Sequence, residues 1–336
     1  MINNVINKFL ANDSVSQVEL LEAFEEIFSG LANDIQSSAF ITALNDIKMN
    51  EDVLLTAIQA SCQSIKKPYS VLNSQDMIEN ISFGDKTKYF DISLIQDLIC
   101  CACDLPISRY SFGNDISSRT FDILSLMGIN LSKEIDYSTN DFKKLNFNYY
   151  KLSCELPYSK YTKNLNHSLP FDNILKITSK MLNPLCASNL FLGVNKKSNV
   201  EIFANLALKL NKTNSIIVCA NDSLPFVSTK GETYVAEAWK NKIFTYILTP
   251  QLLGIEDFEV DLLKCENNSQ NASDILDIIK NKNKSAKYCA SILNSALALY
   301  IAKKADSIID GLSLAKKVLK EGLVEEKFEQ IKAFYS

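Results

Sequence analysis

Two groups of side chains in this 336-residue sequence have the types and spacing that chemistry requires. Cys100, Cys101 and Cys103 contain one CxxC pair. A tetrahedral metal site asks for four sulfur or nitrogen ligands. No second CxxC follows, and the one histidine, His167, lies far along the chain. The cysteines fall in the apolar run LIQDLICCACDLPI and read as small buried hydrophobes, so no metal site is expected there. His167, in NLNHSLP, reads as a loop histidine rather than a catalytic base. The second group is cationic. Arg109 and Arg119 are the only arginines, which leaves two donors for fork-shaped recognition of a carboxylate or phosphate.

The frame around these residues is that of a globular chain, with 47% hydrophobic and 22% charged residues, which excludes disordered and fibrous classes. The 35 basic and 39 acidic side chains leave a net charge of −4. That balance gives no overall basic field and disfavours a nucleic-acid or membrane-surface partner. The longest uncharged apolar stretch, 288–302, is shorter than the roughly 18–20 residues a bilayer span needs, and MINNVINKFLANDS lacks a signal-peptide core. Nine irregularly spaced cysteines fit reduced thiols, and a cytoplasmic location is expected.

Helical spacing dominates the first seventy residues. Leu20, Leu21, Phe24, Ile27, Phe28 and Leu31 follow the capping-box pattern Ser16-x-x-Glu19. A second helix is expected near 35–46, and a third, capped by Asn50, through Val53, Leu54, Ala57, Ile58 and Cys62 before Pro68. Beyond Pro68, strand-like runs such as Ile216 to Cys219 and Ile243 to Leu248 alternate with helical patterns, which implies an α/β domain with a largely parallel sheet. Three helices close the chain, over 286–302, 307–321 and 324–333, with Gly311 and Gly322 near their boundaries. The Asn- and Lys-rich segments 140–170 and 265–285 read as exposed loops. The expected domains are an all-α unit over 1–68, with a returning segment around 160–185, and an α/β unit over 69–336.

This ordering, with several local strings, resembles anthranilate phosphoribosyltransferase and its relatives, the pyrimidine nucleoside phosphorylases. LLEAFEEIFSGLANDIQSSAFITALNDIKMNED resembles that family's opening helices, NSALALYIAKKADSIIDGLSLAKKVLKEGLVEEKFEQI its closing ones, and DILSLMGINL the string after its ribose-phosphate loops. The resemblance implies a small α-domain packed on a larger α/β domain, an active site in the cleft and a homodimer through the α-domains. The reaction it implies displaces pyrophosphate from phosphoribosyl pyrophosphate (PRPP) by anthranilate's amine, through positioning, backbone donors and magnesium.

The pocket motifs depart from that pattern. The register of the family's GTGGD reads Ile81, Ser82, Phe83, Gly84 and Asp85, so bulky groups replace two glycines that let backbone N–H groups approach a pyrophosphate. The register of FNIST reads Phe90, Asp91, Ile92, Ser93 and Leu94, where a carboxylate replaces an amide donor. Gly84, Asp85 and Ser93 are retained; they also read as a turn with an N-cap. The KHGNR loop falls on Arg109, Tyr110, Ser111, Phe112 and Gly113, where only the first charge is kept. Ser117 and Ser118 match the following serine pair after a one-residue slip, and equally fit a turn or helix cap. The magnesium-binding acidic pair becomes Pro225 and Phe226, with no oxygen ligand, and the nearby Asp222 reads as a turn cap. Pro170 or Asp172 stands for the arginine that holds anthranilate; Lys176 and Lys180 nearby read as a solvated face.

The expectation is a divergent member of the family that has lost magnesium–PRPP chemistry, needs no cofactor, and serves as a binding or assembly protein or takes another ligand. The alternative is an active transferase or phosphorylase with an altered phosphate site built from Gly84, Asp85, Ser93, Arg109, Ser117, Ser118 and Arg119, and only that reading calls for magnesium. The two diverge on whether Phe83, Phe112 and Phe226 fill the donor's volume.

Overall fold

Both ends of the chain are helical, and its middle alternates strand with helix. The computed structural model describes residues 1–46, 50–63, 76–83, 88–112, 119–131, 144–152, 157–169, 173–221, 223–282 and 284–336. Four helices come first: α1 (Ile2–Leu10), α2 (Gln17–Phe28), α3 (Asp34–Asp46) and α4 (Glu51–Gln63). Then follow β1 (Ile78–Ser82), α5 (Ile92–Ala102), β2 (Ile107–Phe112), α6 (Arg119–Leu126) and β3 (Phe147–Leu152). Next are α7 (Pro157–Ser168), α8 (Ile174–Lys180), β4 (Asn189–Gly193), α9 (Asn199–Lys209) and β5 (Asn214–Ala220). The chain ends with β6 (Thr233–Trp239), β7 (Lys242–Leu248), α10 (Asn268–Ile279), α11 (Ala286–Ile301), α12 (Ile308–Lys320) and α13 (Leu323–Tyr335). It divides into a helical unit of Met1–Pro68, Phe112–Asn114 and Leu152–Pro184, and an α/β unit of Tyr69–Ser111, Asp115–Lys151 and Leu185–Ser336.

In the helical unit, side chains from the loops stop the backbone donors at helix starts from being orphaned. Ser16 Oγ accepts from Glu19 N at 3.3 Å while Glu19 Oε2 accepts from Ser16 N at 3.1 Å, the reciprocal capping box. Asn50 Oδ1 accepts from Asp52 N and Val53 N at the start of α4. The core joins α2 to α3 through an edge-to-face contact of Phe24 and Phe40, with centroids 5.2 Å apart. Helix α1, which the sequence reading lacks, adds the buried Ile2 and Val5 to that core. Helix α7 packs on α2, and α8 on α4.

The Glu19 carboxyl is held down to about 2 by its hydrogen bond from Lys8 and then by the Ser16 backbone and hydroxyl. Because the folded value lies below the unfolded one, its contribution is complete above the ordinary 4.5 and is lost as pH falls from there toward about 2. We expect Glu19→Gln to flatten the acid limb of thermal stability relative to wild type, read from melts between about pH 6 and about pH 2. Parallel acid limbs in the two proteins would overturn this.

The α/β unit holds a seven-stranded sheet of order β3-β2-β1-β4-β5-β6-β7. The pairs β1·β2, β1·β4 and β4·β5 are parallel, while β5·β6 and β6·β7 are antiparallel. Strands β4 and β5 are buried along their whole length, as a sheet covered on both faces requires. The α5 residues from Ile92 to Cys101 are buried on every side of the helix. Gly311 lies inside α12 rather than at its boundary. A Cβ there would come 2.5 Å from the Ala296 carbonyl oxygen, so the glycine permits the close approach of α12 to α11.

The two Asn- and Lys-rich segments are not simply loops. Residues 265–285 contain α10, whose N-cap Asn267 accepts from Gln270 N and whose Ala272, Ile275, Ile278 and Ile279 are buried. Residues 140–170 contain β3, with Phe147 and Tyr149 fully buried, and α7, so the backbone of His167 is helical. Asparagine is a capping residue as well as a loop residue, and composition alone does not separate the two.

Candidate functional site

The strand order reverses between β1 and β4, and in an open α/β sheet the crevice outside the carboxyl ends of the strands at that point is where ligands bind. Here β1 ends at Ser82 and β4 at Gly193, tied by a 2.8 Å bond from Phe83 N to the Gly193 carbonyl. The chain after β5 passes directly over this junction. Ser82 Oγ donates to the Pro225 carbonyl at 3.3 Å, and a Cβ on Gly193 would stand 1.9 Å from that same oxygen. Gly193 is thus the residue that lets Pro225 descend onto the sheet.

Phe226, 5% exposed, joins the hydrophobic core of the unit and meets Tyr89 edge to face at 6.2 Å. Val227 N donates to Asn294 Oδ1 of α11 at 3.0 Å, which fixes the loop beyond it. Phe83 packs on Phe203 of α9 at 5.1 Å. Among the described residues, Asn80, Tyr89, Ser93, Gln96, Phe226 and Asn294 line a cavity at the switch point with a volume of about 10 Å³. That is the space of one water molecule.

Asp91 has become a structural cap. Its Oδ1 accepts from Leu94 N at 3.2 Å and from Ser93 Oγ at 2.7 Å, and its Oδ2 accepts from Thr120 Oγ1 at 2.5 Å. Its own backbone N–H donates to Asn271 Oδ1 of α10 at 2.9 Å. Both oxygens of this carboxylate are thus engaged within the fold, and it offers no donor.

Arg109 is turned inward. Its Nε donates to Asp97 Oδ2 at 2.5 Å, and Asp97, fully buried on α5, also accepts from Asn80 Nδ2 at 2.8 Å and from the Tyr149 hydroxyl. The guanidinium lies over the Tyr149 ring at 5.7 Å. Burial pushes the Asp97 carboxyl upward against the opposing pull of the Arg109 charge, and burial likewise drives the Tyr149 phenol well above its ordinary value. Burial by itself lowers the Arg109 value, but Asp97 holds the guanidinium above it and so firmly charged. Sequence reasoning missed this cluster. Its one signal was an aspartate set in the middle of the apolar run LIQDLICC.

Arg119 stands beside the Asp91 network, since the adjacent Thr120 bonds Asp91 and α10 supplies both Asn268 and Asn271. Arg119 Nε donates to Asn268 Oδ1 at 3.2 Å. Ile81 is buried within β1, and Tyr110 is half-buried in β2. Phe112 ends β2, with its side chain outside the described residues, as are Gly84, Asp85, Ser117, Ser118, Pro170, Asp172 and Asp222. Cys100 and Cys101 are fully buried on α5, and burial raises both thiols well above their ordinary value and pushes Cys103 up to about 12.

Among the described residues the donor set does not fit magnesium. Proline and phenylalanine occupy the positions of the acidic pair, and the Ser93 hydroxyl is bonded to Asp91. Among the described residues no group of three or more His, Cys, Asp or Glu side chains converges.

A helical bundle joined to an α/β sheet with its ligand crevice at the β1/β4 junction defines a glycosyl transferase class. Residues 76–324 match the model described as the glycosyl transferase family a/b domain, and residues 3–64 match its helical bundle domain. An anthranilate phosphoribosyltransferase from Methanobrevibacter smithii is 28% identical over 335 residues, covering 98% of each chain. One from Vesicomyosocius okutanii is 26% identical, covering 98% of this chain and 97% of its own. The chain belongs to the anthranilate phosphoribosyltransferase family. The likeness of fold runs over its whole length. It superposes on the Thermus thermophilus enzyme with a TM-score of 0.86 at 18% identity, covering 98% of each chain. It superposes on the Saccharomyces cerevisiae enzyme, solved in complex with PRPP and Mg, with a TM-score of 0.84 at 18% identity, covering 99% of this chain and 97% of that one. No helix among the described residues is long and apolar enough to cross a membrane.

Proposed function

We propose that this family member does not carry out magnesium–PRPP transfer and acts as a binding or assembly protein on the transferase scaffold. The observation that supports the reading is the filled junction: Pro225 and Phe226 lie over the ends of β1 and β4, and the cavity that the described residues line there holds about 10 Å³. A sugar carrying a monophosphate and a diphosphate is many times larger than one water, and ligand pockets run to roughly 300–1,000 Å³. The loss of the metal carboxylates and the conversion of Asp91 into a helix cap point the same way. No cofactor is proposed. A cytoplasmic location accords with the free thiols. A homodimer through the helical unit would cover the exposed Leu10, Val18, Leu31 and Ile35.

One observation favours the alternative, an enzyme with an altered phosphate site. Arg109 Nη2 is buried with no hydrogen-bond partner among the described residues, and a phosphate oxygen would satisfy it. Isothermal titration separates the readings. We expect PRPP to give no magnesium-dependent binding heat. A tight isotherm that requires magnesium would overturn the proposal, and binding of inorganic phosphate that disappears in Arg109→Ala would favour the alternative.

A further inference from the structure

Strand β7 closes the sheet order, and among the described residues no strand or backbone hydrogen bond covers its outer edge. The two residues joining it to β6, Lys240 and Asn241, both have positive φ, 48° and 60°, the mark of a tight two-residue hairpin turn. That turn makes Trp239↔Lys242 a closely hydrogen-bonded pair and sets the phase of the ladder. Lys242, Phe244, Tyr246 and Leu248 therefore bond to β6, and the N–H and C=O groups of Ile243, Thr245 and Ile247 point away from the sheet. Edges of this kind are ordinarily blunted by proline, a bulge or a run of charge. KIFTYIL has no proline, its register with β6 is unbroken, and its single lysine stands at the turn. Phe244 and Ile247 are 49% and 47% exposed along it.

We propose that β7 pairs antiparallel with β7 of a second copy about a two-fold axis through Thr245, continuing the sheet from one copy into the other. Among the registers that align outward-pointing residues, only this one uses all three of them. It sets Ile243 against Ile247 of the other copy, Thr245 against Thr245, and Ile247 against Ile243, each pair exchanging two backbone hydrogen bonds. The side chains then match on both faces. One face brings together β-branched residues, Ile with Ile and Thr with Thr. The other sets Phe244 against Tyr246 and Lys242 against Leu248, so no like charges meet across the axis. A symmetric, self-complementary patch is the form an isologous interface takes. The inference does not depend on whether the crevice binds PRPP.

Light scattering on the full chain tests it with Thr245→Lys, which sets two ammonium groups against each other on the axis, and Thr245→Pro, which removes an outward N–H that β6 does not use. Both variants are expected to keep the wild-type far-ultraviolet spectrum and to fall in mass to whatever association the helical unit alone contributes, at most half the wild-type mass. Folded variants with the wild-type mass, or a monomeric wild type at high micromolar concentration, would overturn it. Hydrogen exchange on the unmutated protein reads the same ladder. The amides of Ile243, Thr245 and Ile247 are expected to gain protection with rising protein concentration, and fast exchange at every concentration would equally overturn it.

Discussion

Phe226→Ala is expected to lower the stability of the protein by about 3–5 kcal/mol, the range for deleting a buried aromatic ring from a packed core. The ring is 5% exposed, belongs to the core of the α/β unit and abuts Tyr89, while its neighbours hold the loop from both sides through Pro225 and Val227. The loop has little freedom to collapse, which places the cost toward the upper part of that range. Urea denaturation followed by circular dichroism checks it. The midpoint should fall while the slope stays near wild type, because the surface exposed on unfolding hardly changes. A loss under about 1 kcal/mol would mean that the ring merely leans on the crevice, and the proposal that the switch point is filled would lose its basis.

The same residue shows what the sequence makes legible. Position 226 is readable as a departure because the surrounding string, IIVCANDSLPFVSTKGETYVAE, still aligns with a strand, a loop and a strand. A phenylalanine in place of a carboxylate removes a metal ligand however the side chain points. The direction of the side chain is not readable, because it depends on Gly193, 33 residues away in sequence by subtraction, which lets the Pro225 carbonyl settle on the sheet. Helices with strong apolar spacing, such as α2 and α11, are legible from local pattern alone. Helix α10 is not, since its asparagines suggest a loop until Asn267 is seen capping and Asn271 is seen buried against the backbone of Asp91. Arg109 shows a further limit. Its charge is visible in the sequence, but the partner that absorbs it sits on a different element, and the meeting of α5, β1, β2 and β3 is a property of the sheet order.

That partner is the subject of the last expectation. Asp97→Ala should destabilise the protein by about 3–5 kcal/mol, the range for removing one member of a buried ion pair. The attraction lost is only part of the effect. The guanidinium of Arg109, the phenol of Tyr149 and the amide of Asn80 would all point at an apolar methyl group, in a place where Asp97 itself is fully buried. Each abandoned donor forfeits its hydrogen bond without regaining water, although the three penalties overlap and do not add. Asp97→Asn retains an acceptor and so should lose less. Pairing Asp97→Leu with Arg109→Met should recover much of the stability, because buried ion pairs are commonly replaceable by apolar groups of similar volume. A double-mutant cycle in urea measures the coupling. If Asp97→Ala and Arg109→Met prove additive, the two side chains do not hold each other. Arg109 would then be free to turn toward an anion, and the altered-phosphate-site reading would regain its principal residue.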